Sequence, residues 1–358
     1  MAEPVLMKGN EAIAEAAIRG GCRYFFGYPI TPQNEIPEYM SRWLPEVGGV
    51  YLQAESEIAA INMVYGASGA GGRVMTSSSS PGISLKQEGI SYIAAAELPC
   101  VIVNMMRGGP GLGGIQPAQS DYFQATRGGG HGDYRLIVLG PAGVQEAVNL
   151  MMGAFDLAEK YRNPVLLLGD GVLGQMMEPV VFPDYPGPAP VDRNWVTDGA
   201  KGREPRIINT LMLDPDDLYR HNLKLQAKYA RIAENEVRYE EYMTEDAEWI
   251  LVAYGTTARV CKSVVDQIRP EGKKVGVFRP ISLWPFPKEP VANLAGRVKG
   301  LFVVEMSMGQ MVEDVKLSVE GRVPVHFYGV AGGLVPTRAD VRNKLLQVMG
   351  AAKGGDER

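Results

Sequence analysis

Residues Gln53 to Gly82, QAESEIAAINMVYGASGAGGRVMTSSSSPG, place a carboxylate, a glycine-rich helix and a run of hydroxyls in immediate succession. Ile58, Ile61 and Tyr65 recur at i, i+3 and i+7, which predicts an apolar helix face, while Ala59, Ala60, Gly66, Ala67, Gly69 and Ala70 let neighbouring backbones approach closely. Glu57 opens that helix, where the helix dipole favours a carboxylate, so it suits a plain cap as well as a site residue. Arg73 to Thr76 then reads as a buried strand, and Ser77 to Gly82 as a serine run ending in a Pro-Gly turn before a further helix. Hydroxyls and free backbone N–H groups at the carboxyl end of a strand are where open α/β sheets bind ligands, which favours the site reading.

The pattern continues outward in both directions. Upstream come a helix near Asn10 to Arg19, a short apolar strand Tyr24 to Gly27, a helix Glu35 to Leu44 and a strand Val50 to Gln53. The first strand ends in Tyr28-Pro29-Ile30-Thr31-Pro32, where two prolines fix an extended turn and with it the direction of the Thr31 hydroxyl; a turn built for shape alone is the other reading. Downstream lie a helix Ile83 to Ala95 and a strand Val101 to Met105, then Arg107 followed by five glycines among seven residues. That loop carries one fixed cation whose planar fork matches a carboxylate, although a loop arginine is also commonly just solvated. Strands Leu136 to Leu139 and Pro164 to Leu168 flank a helix Val144 to Glu159, so helix and strand alternate and a parallel sheet is expected.

Pro179 to Pro205 is proline-rich and reads as an extended crossing segment. From Asp214 to Glu248 charge is dense, with Leu218, Leu223, Leu225, Tyr229 and Ile232 suggesting a long helix that joins two domains. A second β/α repeat follows, with strands at Trp249 to Tyr254, Lys274 to Phe278, Leu301 to Glu305 and Val323 to Phe327. Helices are expected at Ala258 to Ile268, Val291 to Ala295, Gln310 to Val319 and Arg338 to Met349. Glycines after its strands suit a phosphate or, more commonly, a helix cap.

Composition narrows the class. With 358 residues, 46% hydrophobic and 22% charged, the chain is long enough for two domains, and no apolar run approaches a membrane span. Met1 to Lys8 carries no apolar core with a small-residue cleavage site, so a cytoplasmic location is expected. A formal charge of −5 gives no basic face for nucleic acid. Cys22, Cys100 and Cys261 are isolated, as are His131, His221 and His326, which argues against disulfides, a cysteine-held cluster or a metal site in this chain.

Tyr28-Pro29-Ile30-Thr31-Pro32, Glu55-Ser56-Glu57, the run Thr76 to Glu88, Arg107-Gly108-Gly109-Pro110, Gln119-Ser120-Asp121 and, near the end, Gly332 to Thr337 occur in one order. Together they resemble the alpha subunit of the 2-oxoacid:ferredoxin oxidoreductases, in the branch acting on 2-oxoisovalerate, and the resemblance runs along essentially the whole chain. It implies an α/β protein of two parallel-sheet domains, a thiamine diphosphate pyrimidine-binding fold followed by a transketolase-C-terminal-like domain. The expected boundaries are 1–178 for the first, 179–248 for the proline-rich linker and charged helix, and 249–358 for the second.

The resemblance further implies oxidative decarboxylation of a 2-oxoacid with coenzyme A, giving acyl-CoA, carbon dioxide and reduced ferredoxin. Glu57 would hydrogen-bond the aminopyrimidine ring, with Glu55 close enough to leave open which acid acts. Tyr28, Pro29, Ile30, Ser79 and Ser80 would line the cofactor, and Thr31 and Arg107 would meet the oxoacid carboxylate. Thiamine diphosphate would be shared with a beta subunit that holds the diphosphate and Mg2+. Small ferredoxin-like gamma and delta subunits would carry the [4Fe-4S] clusters, and no nucleic acid or membrane partner is expected.

Gly169-Asp170-Gly171 invites another reading, since thiamine enzymes that hold their own metal follow such a triplet with paired asparagines. Here Asn194 stands alone, and Asp170 is expected to be structural. As to substrate, a second carboxylate needs a second buried cation, and Gly108 to Ala118 offers none. Leu112 and Ile115 are the walls expected for an isopropyl group, and Arg127 and Lys86 the nearest alternative cations. The alternatives are a 2-oxoglutarate enzyme of the same family or a non-catalytic scaffold subunit.

Overall fold

The structure is a computed structural model that describes residues 3–188 and 190–355. Its first half alternates strand and helix: β1 (Val5–Lys8), α1 (Gly9–Arg19), β2 (Tyr24–Gly27), α2 (Glu35–Trp43), β3 (Val50–Gln53), α3 (Glu57–Gly69), β4 (Val74–Ser78), α4 (Ser80–Ala95), β5 (Val101–Met106), α5 (Tyr122–Arg127), β6 (Ile137–Leu139), α6 (Val144–Tyr161), β7 (Val165–Asp170), α7 (Gly171–Gln175) and β8 (Met177–Val180). The second half runs α8 (Pro215–Asn235), β9 (Tyr239–Tyr242), β10 (Trp249–Val252), α9 (Gly255–Ile268), β11 (Val275–Pro280), β12 (Ser282–Trp284), α10 (Lys288–Ala295), β13 (Gly300–Glu305), α11 (Met311–Val319), β14 (Val325–Gly329) and α12 (Arg338–Gly355).

Among the described residues the strands form three sheets. The largest has the order β12-β6-β7-β5-β4-β2-β3, the second β14-β13-β10-β11-β9, and β1 pairs with β8 alone. In the first, β3 to β6 and their neighbours run parallel, and only β12 is antiparallel. Strands β4, β5 and β7 are buried along their whole length, as the near-continuous apolar runs of a sheet covered on both faces require. The expected α/β class with two parallel-rich sheets is what the chain adopts.

Several elements differ from their sequence pattern. The inward face of α3 is Glu57, Ala60, Ile61, Val64 and Ser68, so Ile58 is 50% exposed rather than part of the apolar face. The rotation follows from α4, whose Gly82 and Gly89 leave room for Glu57 and Ile61. Helix α8 ends at Asn235; its buried stripe is Leu225, Lys228, Tyr229 and Ile232, and Leu218 and Leu223 face outward. After it, Tyr239–Tyr242 becomes an edge strand on β11, while Ser282–Trp284 pairs back with β6 of the first sheet. The extended segment between β8 and α8 is tied down by Arg73, which donates to Glu159 (2.7 and 3.0 Å) and to the Tyr185 hydroxyl (2.6 Å).

Candidate active site

Four loops converge at the carboxyl ends of the first sheet. The chain leaves β2 toward β3 on one side and leaves β4 toward β5 on the other, so the β2/β4 boundary is a topological switch point, where open sheets leave a crevice. Tyr28 to Pro32 follows β2, Glu57 opens the helix after β3, Ser79 and Ser80 follow β4, and Arg107 follows β5.

Each loop is held by specific bonds. The Pro32 carbonyl accepts from Asn10 Nδ2 (2.8 Å) and Gln175 Nε2 (3.1 Å), which fixes the turn bearing Thr31. Arg107, buried, donates from Nη1 to the Thr31 carbonyl and from Nη2 to the Leu112 carbonyl, both 3.0 Å, while its Nε has no partner among the described residues. Two of the five N–H donors of the guanidinium are thus spent on the chain and the others remain. The Ser80 hydroxyl accepts from the Arg107 backbone N–H (3.0 Å) and donates to Asp121 (2.6 Å), which also accepts from Asn104 (2.9 Å). Burial pushes the Asp121 carboxyl up, and these two bonds pull it partly back.

Glu57 is 6% exposed, and its carboxylate takes no hydrogen bond from the described residues. The cap of α3 is supplied instead by Ser56, whose hydroxyl accepts from the Ala59 N–H at 3.2 Å. Glu55 is exposed. The open question between the two acids therefore has a geometric difference: one is buried and unused, the other points to solvent. At the same strand ends Ser78 Oγ, Ser79 Oγ and Gln33 Nε2 are buried and have no partner among the described residues. Such orphans cost free energy unless a ligand satisfies them. A Cβ on Gly82 would sit 2.6 Å from Glu57 Oε1 and 2.1 Å from Ser78 Oγ, so only glycine leaves this cradle open.

Other sequence expectations fall differently. Tyr28 and Pro29 are exposed and Ile30 half-buried at the rim. The glycines after Arg107 are structural in part: Gly111 and Gly113 have φ of 74° and 60°, and a Cβ on Gly113 would meet the Gly108 carbonyl oxygen at 1.8 Å. Leu112 is 84% exposed and contributes its carbonyl to Arg107 rather than an apolar wall. Ile115 lines a cleft of about 610 Å3 with Thr31, Pro32, Pro117 and Val335; that cleft touches Thr31 but not Glu57. Of the alternative cations, Arg127 pairs with Asp314 (3.1 Å) and Lys86 is buried on Thr76 Oγ1 (3.0 Å). Asp170 accepts from the Val172 and Leu173 N–H groups (2.9 and 3.2 Å) and from the Thr256 hydroxyl (2.9 Å).

Sequence reasoning passed over Gln33 and Asn104. The signal for Asn104 was present, a lone amide inside the apolar strand Val101–Met106; Gln33 had none beyond its place after Pro32. Residues 15–244 match the sequence profile of the thiamine diphosphate-binding part of pyruvate flavodoxin/ferredoxin oxidoreductase, and residues 247–341 that of pyruvate:ferredoxin oxidoreductase core domain II. The chain is 52% identical to ketoisovalerate oxidoreductase subunit VorB of Methanothermobacter marburgensis over 96% of its own length and 98% of the relative's. It is 37% identical to 2-oxoglutarate synthase subunit KorA of Methanothermobacter thermautotrophicus, over 97% and 100%. A solved 2-oxoglutarate:ferredoxin oxidoreductase from Magnetococcus marinus, with 2-oxoglutarate, coenzyme A and succinyl-CoA bound, superposes with a TM-score of 0.88 at 28% identity; the match covers 96% of this chain and 65% of that one. A split-gene transketolase in an inactive beta4 tetramer shares the fold at a TM-score of 0.60, with 14% identity over 95% of this chain and 97% of that one.

Proposed function

The chain belongs to the pyruvate flavodoxin/ferredoxin oxidoreductase family, and from that premise we propose that it is the alpha subunit of a 2-oxoacid:ferredoxin oxidoreductase acting on 2-oxoisovalerate. The reaction is the oxidative decarboxylation of the oxoacid with coenzyme A, giving acyl-CoA, carbon dioxide and reduced ferredoxin. The observation that carries it is Glu57: a buried carboxylate at a switch-point crevice, without a hydrogen-bond partner among the described residues while Ser56 takes over the capping of its helix.

The residues present fit thiamine diphosphate. Bound there, the cofactor supplies the carbanion chemistry that amino-acid side chains lack. Glu57 would share a proton with the aminopyrimidine ring nitrogen, from a position closed to bulk water. Ser78, which meets Glu57 at Gly82, and Ser79 after it present hydroxyls with no partner among the described residues, and Tyr28, Pro29 and Ile30 form the rim. Ser80 has its hydroxyl engaged by Arg107 and Asp121, so it positions the Arg107 loop. Arg107 and the Thr31 hydroxyl would orient the oxoacid carboxylate, with the remaining guanidinium donors as the fork.

The pairing of Asp170 with Val172, Leu173 and Thr256 supports placing Mg2+ and the diphosphate on a separate beta subunit. Three buried, separate cysteines likewise support iron–sulfur clusters on small gamma and delta subunits. No described helix is long and apolar enough to cross a membrane, in keeping with a cytoplasmic complex. For the substrate, the two alternative cations are turned to Asp314 and Thr76, so neither stands ready for a second carboxylate.

The test is viologen reduction by the complex reconstituted with its partners. The expected result is a kcat/KM for 2-oxoisovalerate above those for 2-oxoglutarate and pyruvate. A preference for 2-oxoglutarate overturns the substrate, and turnover that needs no thiamine diphosphate overturns the reaction class.

A further inference from the structure

Lys86 is fully buried and stands on α4, one turn beyond Gly82. Helix α4 lies hard against α3 along this face: a Cβ on Gly82 would meet Glu57 Oε1 at 2.6 Å, and one on Gly89 would meet Ile61 Cγ2 at 2.5 Å. Lys86 sits between those two contacts. Its ammonium donates to Thr76 Oγ1 on β4 at 3.0 Å, and among the described residues that is its one hydrogen bond, although an ammonium carries three donors. A buried charge with so little local satisfaction is costly unless an opposite charge is close.

Glu57 is that charge. Burial pushes the Lys86 ammonium down to about 8, and the attraction of Glu57 opposes the fall. The groups around it leave no competitor: α3 presents Glu57 and β4 the neutral Thr76. On α4 itself Glu88 lies on the exposed side under the Tyr92 hydroxyl, and Asp121 is taken up by Ser80 and Asn104.

We propose that Lys86 is a positioning residue that acts through Glu57, a buried counter-charge that supports the carboxylate in the crevice without occupying its oxygens. A hydrogen-bonded lysine would spend those oxygens; a counter-charge tethered to Thr76 leaves them free for the cofactor ring. The inference rests on the thiamine reading given above for what Glu57 meets, but the coupling of the two side chains is a property of this chain.

The first experiment uses the full chain with lysines labelled at Cε and follows their NMR titration into alkaline pH. The Lys86 signal, assigned by its absence in Lys86→Met, titrates below the exposed lysines, in the range that burial also gives Lys228, and Glu57→Gln moves its midpoint down by about one pH unit. An unmoved midpoint overturns the proposal. The second uses the assembled complex and measures thiamine diphosphate affinity by calorimetry and deuterium exchange at the cofactor's thiazolium carbon. Lys86→Met lowers both about tenfold, the equivalent of one unit of coupling, whereas Thr76→Val, which removes the tether and keeps the charge, changes them about twofold or less. Equal effects of the two variants mean that Lys86 only ties α4 to β4, and the proposal falls. A wild-type complex that binds no thiamine diphosphate defeats the thiamine reading instead, and leaves the titration to decide the Lys86–Glu57 coupling.

Discussion

Two buried glutamines stand at two equivalent places in this molecule and live in opposite circumstances. In the second sheet, β10 and β13 meet at a switch point just as β2 and β4 do in the first. Gln119, from the first half of the chain, fills that second crevice. Its backbone N–H donates to the Met306 carbonyl (2.8 Å), its Oε1 accepts from the Met306 N–H (3.0 Å) and the Thr257 hydroxyl (3.2 Å), and its Nε2 donates to the Tyr254 carbonyl (2.8 Å). Gln33, in the first crevice, accepts from Ser77 (2.5 Å), but its Nε2 has no partner among the described residues. The same topology thus yields one plugged crevice that docks the two halves and one left polar and open. Fold identifies where a ligand could bind; the balance of satisfied and orphaned polar groups tells which place is used.

The comparison breaks first at Glu57. Glu57→Gln keeps the shape and loses the shared proton, so kcat/KM of the assembled enzyme should fall on the order of 10²-fold or more while the complex still assembles. Retained activity there, or an equal loss in Glu55→Gln alone, would show that the open crevice is not the reacting one. Next is the plug. Gln119→Leu strands the Met306 N–H and takes one donor from the Tyr254 carbonyl, which keeps the Thr257 hydroxyl, and urea unfolding should report a loss of about 2 kcal/mol, which would shrink to nothing if water can replace the amide.

Gly82→Ala sharpens the open side. The added methyl must displace Glu57 Oε1 and Ser78 Oγ, and about tenfold lower turnover with little change in stability is the expected outcome of moving a reacting group by a fraction of an ångström. Ser56→Ala should cost about 1 kcal/mol of stability, the usual worth of a helix cap, and leave turnover nearly intact; a large loss of turnover would mean that Glu57 had been drawn into capping. The smallest effect concerns Asp170, which burial holds above the usual carboxylate range. The folded state therefore binds more protons than the unfolded chain just above that range, so stability falls as pH rises through this window. Asp170→Asn should flatten that part of the stability curve, and an unaltered curve would mean that another group titrates there.

Much of this was legible in the sequence. Strands β2 and β3 have the limits their sequence implies, because a short apolar run that follows a glycine pair leaves few alternatives. The motifs around Thr31, Glu57 and Arg107 marked the crevice, since each ends a strand of one sheet. What was hidden depended on partners far away in the chain. Tyr-Glu-Glu-Tyr at 239–242 has no apolar face to announce a strand and is made one by pairing with β11. Gln119 was visible as part of a motif, but its bonds lie more than a hundred residues away. The free state of Glu57 depended on Ser56 taking the cap, a contest between neighbours that helix periodicity does not record.

Strand β12 gives the chain a calendar. Its residues, Ser282–Trp284, complete the edge of the first sheet beside β6 although they are made long after that sheet's other strands. On the ribosome, where residues emerge at roughly 5–20 per second, β6 waits several seconds with an unpaired edge while the linker, α8 and the start of the second sheet are still being synthesised. The nascent chain thus passes through an interval in which its cofactor-binding half is nearly assembled but not closed, and holding factors that shield bare strand edges would act on it then.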